Sequence, residues 1–331
     1  MTGSIIDRRQ FLTAATAVAA AGLTSTLTWR RADAQQGPAG GDLTQVAGVQ
    51  RLAVGDVIVT ALLDGYLDLG PQVLIGIDPE AVDERLQAAF AQPGSMRATV
   101  SAYAIHSGDR TVLVDAGTAD LFGPTVGRLA ANLQAAGIDP GSVDQLVVTH
   151  LHPDHVGGVA ADNAIALPNA ELVVHRQEVD FWGDKGRFSD APEQMQTFAQ
   201  VARNAVARFE GRTRLLEGEG ETEIASGLTA VPLPGHTPGH MGVRVTSGDR
   251  ALLIWGDIIH APAVQFPQPE VSIVFDIDPE QAAATRQRLL EQVAVDRTMV
   301  AGMHLSFPGF GHVVSAQEGY RFEPTPWQHE L

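Results

Sequence analysis

Thr149-His150-Leu151-His152-Pro153-Asp154-His155 sets three imidazoles and one carboxylate within six residues. The apolar run Gln145-Leu146-Val147-Val148 precedes it and reads as a buried strand, and Gly157-Gly158 follows. Side chains alternate along an extended segment, so His150 and His152 should project to the same side. Pro153 should end the extended run, and the turn it starts can bring Asp154 and His155 to the same region from another angle. Packing gives no reason for so dense a cluster. Imidazole is the commonest metal-binding side chain, and a carboxylate beside it suits zinc, iron or manganese.

Partners for this cluster stand at the ends of other apolar runs. His236 lies in Pro234-Gly235-His236-Thr237-Pro238-Gly239-His240, after the strand-like stretch from Leu228 to Leu233. Asp257 ends the run from Ala251 to Gly256, and His304 follows the run from Thr298 to Met303. Each is a short apolar strand that opens into a Gly-flanked loop carrying one ligand-type residue, which is how an open site is built on the edge of a buried sheet. Together they supply five His and two Asp, enough for two metal ions with positions left for water. The chain has no Cys, so thiolate ligands are excluded.

His150-x-His152-x-Asp154-His155, followed by His236, Asp257 and His304, resembles the signature of the metallo-β-lactamase superfamily, and the resemblance runs from about Val54 to Phe310, nearly the whole mature chain. The resemblance implies an α/β fold, the four-layer αββα sandwich. It also implies two divalent metal ions per chain, zinc first and iron or manganese as alternatives. His150, His152 and His236 would hold one ion, and Asp154, His155 and His304 the other, with Asp257 bridging both. Asp154 and Asp257 are then the candidate catalytic carboxylates. Within the superfamily several segments look most like methyl parathion hydrolase and related lactonases. They are Leu121-Phe-Gly-Pro-Thr-Val-Gly-Arg-Leu, His152-Pro-Asp-His-Val-Gly-Gly-Val, Val179-Asp-Phe-Trp, Leu253-Ile-Trp-Gly-Asp-Ile-Ile-His and His304-Leu-Ser-Phe-Pro-Gly-Phe-Gly-His. This likeness puts Phe122 and Trp182 beside the leaving group, where flat apolar faces suit an aromatic ring. Phe198 and Phe275 are further substrate-binding candidates, with core packing the competing explanation for Phe198. Leu67 and His260 are expected at the mouth.

Length and composition agree. A chain of 331 residues with 44% hydrophobic content can bury a large core near the upper size of one domain. The formal charge of −17 argues against a nucleic-acid partner, because such a field repels a polyanion. At the N-terminus, Asp7-Arg8-Arg9-Gln10-Phe11-Leu12 precedes an Ala/Thr-rich stretch and the small-x-small sequence Ala32-Asp33-Ala34. Residues 1–34 thus resemble a twin-arginine export signal, with a periplasmic mature protein and no stable membrane anchor. Residues 35–48 read as a flexible Gly/Gln-rich leader, and 49–331 as one hydrolase domain.

Within that domain strands are expected over Val57–Leu63, Ala98–Ile105 and Arg110–Val114. Helices are expected over Pro79–Ala91, Thr125–Ala136, Ala191–Phe209 and Pro279–Val293. His240 and His312 are expected to support the ligands or to be structural, and Asp115 to orient a ligand or turn. His106, His175 and His329 read as ordinary.

Two cations held close together would acidify a bridging water, whose hydroxide could attack a carbonyl carbon or phosphorus. No Gly-x-Ser-x-Gly elbow is present to suggest a serine nucleophile. The expectation is hydrolysis of a small-molecule lactone, aryl ester or phosphotriester, and the resemblance implies a homodimer. The alternatives are a β-lactamase or a glyoxalase II-type thioester hydrolase, and, from another class, a periplasmic metal-binding protein without catalysis.

Overall fold

The computed structural model describes residues 45–331. The export-signal reading of 1–34, and the leader reading up to residue 44, lie outside the described residues. The last leader residue is tied into the fold. The Gly48 N–H donates to Asn132 Oδ1 at 3.1 Å, and its carbonyl accepts from the Leu63 N–H at 2.9 Å.

In chain order the elements are β1 (Val49–Val54), β2 (Val57–Leu69), β3 (Leu74–Ile75), α1 (Pro79–Ala88), β4 (Met96–Ser107), β5 (Arg110–Val114), α2 (Leu129–Ala135), β6 (Gln145–Val147), α3 (Pro153–Ala160), β7 (Glu171–His175), α4 (Arg176–Gly183), α5 (Lys185–Phe188) and α6 (Glu193–Arg208). The second half continues with β8 (Thr213–Leu216), β9 (Thr222–Ala225), β10 (Leu228–Pro232), β11 (Met241–Ser247), β12 (Arg250–Ile254), α7 (Pro262–Gln265), β13 (Ser272–Ile273), α8 (Pro279–Asp296), β14 (Met299–Ala301), β15 (Phe310–Ser315) and β16 (Tyr320–Pro324).

Period-two alternation in short apolar strands builds the layers. In β5, Val112 and Val114 face one core while Leu113 faces another; in β12, Leu252 and Ile254 part from Leu253 in the same way. A strand apolar on both faces must be covered on both. The sheet β1-β2-β4-β5-β6-β7-β8 therefore packs against the sheet β16-β15-β14-β12-β11-β10-β9 through a core of Val59, Tyr103, Val147, Val243 and Ile254. Outside the first sheet, α2, α3, α4 and α6 contribute Leu133, Val156, Trp182 and Ala202. Outside the second, α8 contributes Leu289, Leu290 and Val293. This is the expected αββα sandwich. A satellite core of Leu67, Val82, Met96, Val126 and Ile273 joins the long β2–β4 ribbon to α1 and the small β3–β13 pair.

Several boundaries differ from expectation. β2 runs on to Leu69 and β4 begins earlier, at Met96, because their pairing continues past a register shift between Leu63 and Gly65; at its other end β4 reaches Ser107 by pairing with Arg110 of β5. The helix expected at Pro79 ends at Ala88: Phe90 takes φ +58° and is fully exposed, so it belongs to no apolar face. The helix expected from Thr125 begins at Leu129, because Gly127 adopts φ +85° and the Asp64 carboxylate caps the Leu129 N–H at 2.9 Å. The helix expected over Ala191–Phe209 spans Glu193–Arg208, and the last one extends to Asp296. Pro153 does not merely start a turn. It is the first residue of α3, where its missing N–H costs nothing.

Strand direction positions the site. β5 and β6 are parallel, so their carboxyl ends share one sheet edge. β10 and β12 both run antiparallel to β11, and β14 is parallel to β12, so these three also end on one edge. The loops leaving these five strands carry the ligand-type residues.

Candidate metal centre

Two groups of ligand atoms form where those loops meet: His150, His152, His236 and Asp257, and Asp154, His155, Asp257 and His304. In the first, His152 Nδ1 lies 3.0 Å from His150 Nε2 and 3.0 Å from His236 Nε2, while Asp257 Oδ2 lies 3.6 Å from His150 Nε2 and 3.2 Å from His236 Nε2. In the second, His155 Nε2 is 3.4 Å from Asp154 Oδ2 and 3.1 Å from Asp257 Oδ1. His304 Nε2 is 3.5 Å from Asp154 Oδ2 and 3.2 Å from Asp257 Oδ2. Tetrahedral ligands with bonds of about 2.0–2.1 Å stand about 3.3 Å from one another, so both sets have the spacing of a filled coordination shell. His155 Nε2 and Asp257 Oδ1 are buried and make no hydrogen bond although they adjoin. Lone pairs left facing a common point in this way fit a cation.

The outer nitrogens are fixed by partners, which sets the tautomer. His155 Nδ1 meets Asp115 Oδ2 at 2.7 Å, His236 Nδ1 meets Asp276 Oδ1 at 2.7 Å, and His304 Nδ1 meets the Thr99 carbonyl at 2.6 Å. Each nitrogen donates outward and leaves Nε2 as a lone pair directed to the centre. Asp115 fulfils the orienting role expected of it: its Oδ1 also accepts the Thr149 N–H at 2.7 Å. His240 supports the site as expected. Its Nδ1 bonds the Leu233 carbonyl at 2.8 Å, and its Nε2 accepts the Asp257 N–H at 3.0 Å. His312 takes the structural alternative: it sits within β15, paired with Met299 and Glu323.

Charge in the site is strongly organised. Burial holds His150 and His152 well below the ordinary histidine range, and neighbouring imidazoles add to this. Burial likewise lowers His240 to about 3 and His260 to about 4. Burial also disfavours charge on His155, yet Asp257, Asp154 and Asp115 together outweigh it and raise its pKa well above the usual value. His236, bonded to Asp257 and Asp276, is pushed up to about 9 against its burial. Burial opposes the Asp257 carboxylate, but His155, His304 and His150 hold it well below the usual range. Sites that draw protons so strongly onto nitrogen also favour a metal cation in their place.

A small cavity opens onto the centre, lined by Leu67, Leu69, Ala98, Phe122, Gln194, Phe198, His260 and Phe275 beside the ligands. Five of the six substrate-binding candidates are brought there. Phe198 belongs to the α-helical core and also lines this cavity, its ring edge against His152 at 5.6 Å. His260 contacts Asp257 Oδ2 at 3.0 Å and stacks on His304. Trp182 is the exception. It is wholly buried behind His152, 5.3 Å from that ring, and its Nε1 donates to Glu178 Oε2 at 3.0 Å. The leaving-group position expected for Trp182 is corrected: its long indole fills the core under the ligand loop. A larger cavity, about 680 Å³, lies outside β10 between the 218–221 loop and α8, and neither ligand group faces it.

Sequence reading missed Glu178, Asp276, Asp64 and Gln194. Asp64 accepts from the Thr118 N–H and hydroxyl and the Leu129 N–H, fixing the loop under α3. Asp276 is an acidic residue inside the apolar run Val274-Phe-Asp-Ile, a signal that could have marked a buried partner. The others carry no comparable local mark.

Comparison with known proteins agrees with this geometry. Residues 97–304 match the family model described as the metallo-beta-lactamase superfamily. The crystal structure of hydrolase AbOPH of the beta-lactamase superfamily superposes with a TM-score of 0.81 and 32% identity, covering 86% of this chain and all of that one. AidC, a dizinc quorum-quenching lactonase in complex with an N-acyl-homoserine product, superposes with a TM-score of 0.78 at 23% identity, over 86% of this chain and 99% of that one. A probable metallo-hydrolase of Mycobacterium tuberculosis is 25% identical over 219 residues, 56% of this chain and 67% of its own length. N-acyl homoserine lactonase AttM of Azorhizobium caulinodans is 27% identical over 132 residues, 39% of this chain and 47% of its own length. With the ligand motif, the paired sheets and the family match in agreement, the chain belongs to the metallo-beta-lactamase superfamily.

Proposed function

We propose that this protein is a two-metal hydrolase of uncharged esters, with lactones and aryl esters as its main substrates and phosphotriesters accepted by the same site. The observation that carries this reading is the pair of ligand groups sharing Asp257 at coordination spacing, opening into an apolar cavity that no lysine or arginine among the described residues lines. Two divalent cations, zinc by the donor set, would supply the positive charge that acidifies water and polarises a carbonyl or phosphoryl oxygen.

The chain's own contribution is preorganisation. Asp115, Asp276 and the Thr99 carbonyl hold three imidazoles in one tautomer and one orientation. Asp154 reaches in from the first turn of α3 and is the least enclosed of the ligands, facing the cavity. Phe122, Phe198, Phe275 and Leu67 offer apolar faces to an aromatic or alkyl group and exclude bulk water around the reacting bond. Two lactonases that the chain resembles, AidC and AttM, support the lactone part of the reading.

The absence of a cationic wall separates the reading from its rivals. A β-lactam or a glutathione thioester carries carboxylate, and beyond the two cations themselves no lysine or arginine among the described residues lines the cavity to pair with it. Dihydrocoumarin, an acyl-homoserine lactone, methyl parathion and nitrocefin, assayed on one metal-loaded preparation, test this. The neutral esters and lactones should be turned over faster than nitrocefin; nitrocefin as the best of the four would overturn the proposal.

A further inference from the structure

Glu178 lies in α4, outside both ligand groups, and is fully buried. It makes no ion pair among the described residues. Its Oε2 accepts from the Leu151 N–H at 3.0 Å and from Trp182 Nε1 at 3.0 Å, and its Oε1 accepts from the Gly239 N–H at 2.8 Å. A carboxylate taken out of water without a cation is costly unless its oxygens are filled by donors, and three converge here. The two backbone donors come from different loops. Leu151 stands between His150 and His152, and Gly239 lies between His236 and His240. Gly239 must be glycine for this approach, since a Cβ there would stand 2.9 Å from Glu178 N and 3.0 Å from Glu178 Cγ.

We propose that Glu178 is a positioning residue for the first ligand group: one buried carboxylate ties the His150–His152 loop to the His236 loop and so fixes the spacing of all three imidazoles. The second group gains no such tie, because Asp154 and His155 ride on α3 and His304 is held by Thr99. This inference rests on reading the two groups as a two-cation centre.

Chelator competition on the full chain loaded with zinc tests it, the site being identified by the imidazole nitrogen shifts of His236 against His304. Wild type binding fewer than two ions would fail the reading of the centre itself, whatever Glu178 does. In Glu178→Gln one oxygen becomes an amide that cannot accept, so one loop is released. Affinity at the first group should then fall about 10–100-fold with the second within about twofold. Unchanged affinities, or an equal fall at both groups, would overturn the proposal. Trp182→Phe removes the indole donor but leaves both loop bonds, so its first-group affinity should fall less than that of Glu178→Gln; an equal fall would assign the effect to packing and overturn it. Should Glu178→Gln not fold, amide exchange in the wild type decides. Leu151 and Gly239 should be protected with and without zinc, and exchange at the rate of unbonded amides would contradict the tie.

Discussion

Asp257 shows what a single residue does here: one carboxylate stands within 3.0–3.6 Å of five imidazoles drawn from four segments of chain. Around it, the division between ligand, wall and support predicts different outcomes for neighbouring aromatics. Phe122 is half-buried at the cavity, so Phe122→Ala should raise KM for aryl esters while zinc content stays at the wild-type value; zinc loss would make it a support. Trp182→Ala should behave in the opposite way. Removing a fully buried indole under His152 should cost about 3–5 kcal/mol in chemical denaturation and weaken zinc binding. A change in aryl preference alone, with stability intact, would restore Trp182 to the substrate wall. The seven ligand-type residues that the fold gathers were legible because coordination demands particular atoms, and four of them fall within six residues. Glu178 and Asp276 were not, because their partners lie 27, 61 and 40 residues away and a lone acidic residue carries no mark of the fold that buries it.

α3 is the element on which the second ligand group turns. His152 is its N-cap residue, Pro153 its first residue, and Asp154 and His155 occupy its first turn, so a helix start aims three ligands at once. Its other side is pressed onto the 116–118 loop: the Gly158 N–H donates to the Gly117 carbonyl at 2.9 Å, and a Cβ on Gly158 would run into the Ala116 carbonyl oxygen. Gly158→Ala should therefore destabilise the fold by about 1–3 kcal/mol and weaken the Asp154–His155–His304 ion more than the other. Equal weakening, read by the same chelator competition, would show that α3 does not act on its own group. Sequence read the strands well, since alternation survives in short apolar runs. It placed α1 and α2 with wrong ends, because Phe90 and Val126 continue an apolar spacing that backbone turns at Phe90 and Gly127 interrupt. It passed over α3 because two ligand-type residues and two glycines among its eight leave no amphipathic period to read.

At the scale of the molecule, two seven-stranded sheets pack so that the carboxyl ends of five strands open on one site. The sandwich was legible through resemblance to the family rather than through periodicity, since alternation specifies strands without specifying which sheet each one joins. Net charge adds a property no single residue has. With a formal charge of −17, an anionic substrate meets a repulsive field that salt screens, whereas a neutral ester feels little of it. Raising ionic strength should thus raise kcat/KM for nitrocefin and leave that for dihydrocoumarin nearly unchanged; equal sensitivity would remove charge from the account of specificity. The most direct test of the central claim is a zinc titration of chelator-stripped protein, with bound metal and hydrolysis of dihydrocoumarin followed together. Activity should be lost on stripping and return in full at two ions per chain. Full activity in the stripped protein, or saturation with no more than one ion bound, would contradict the two-metal centre.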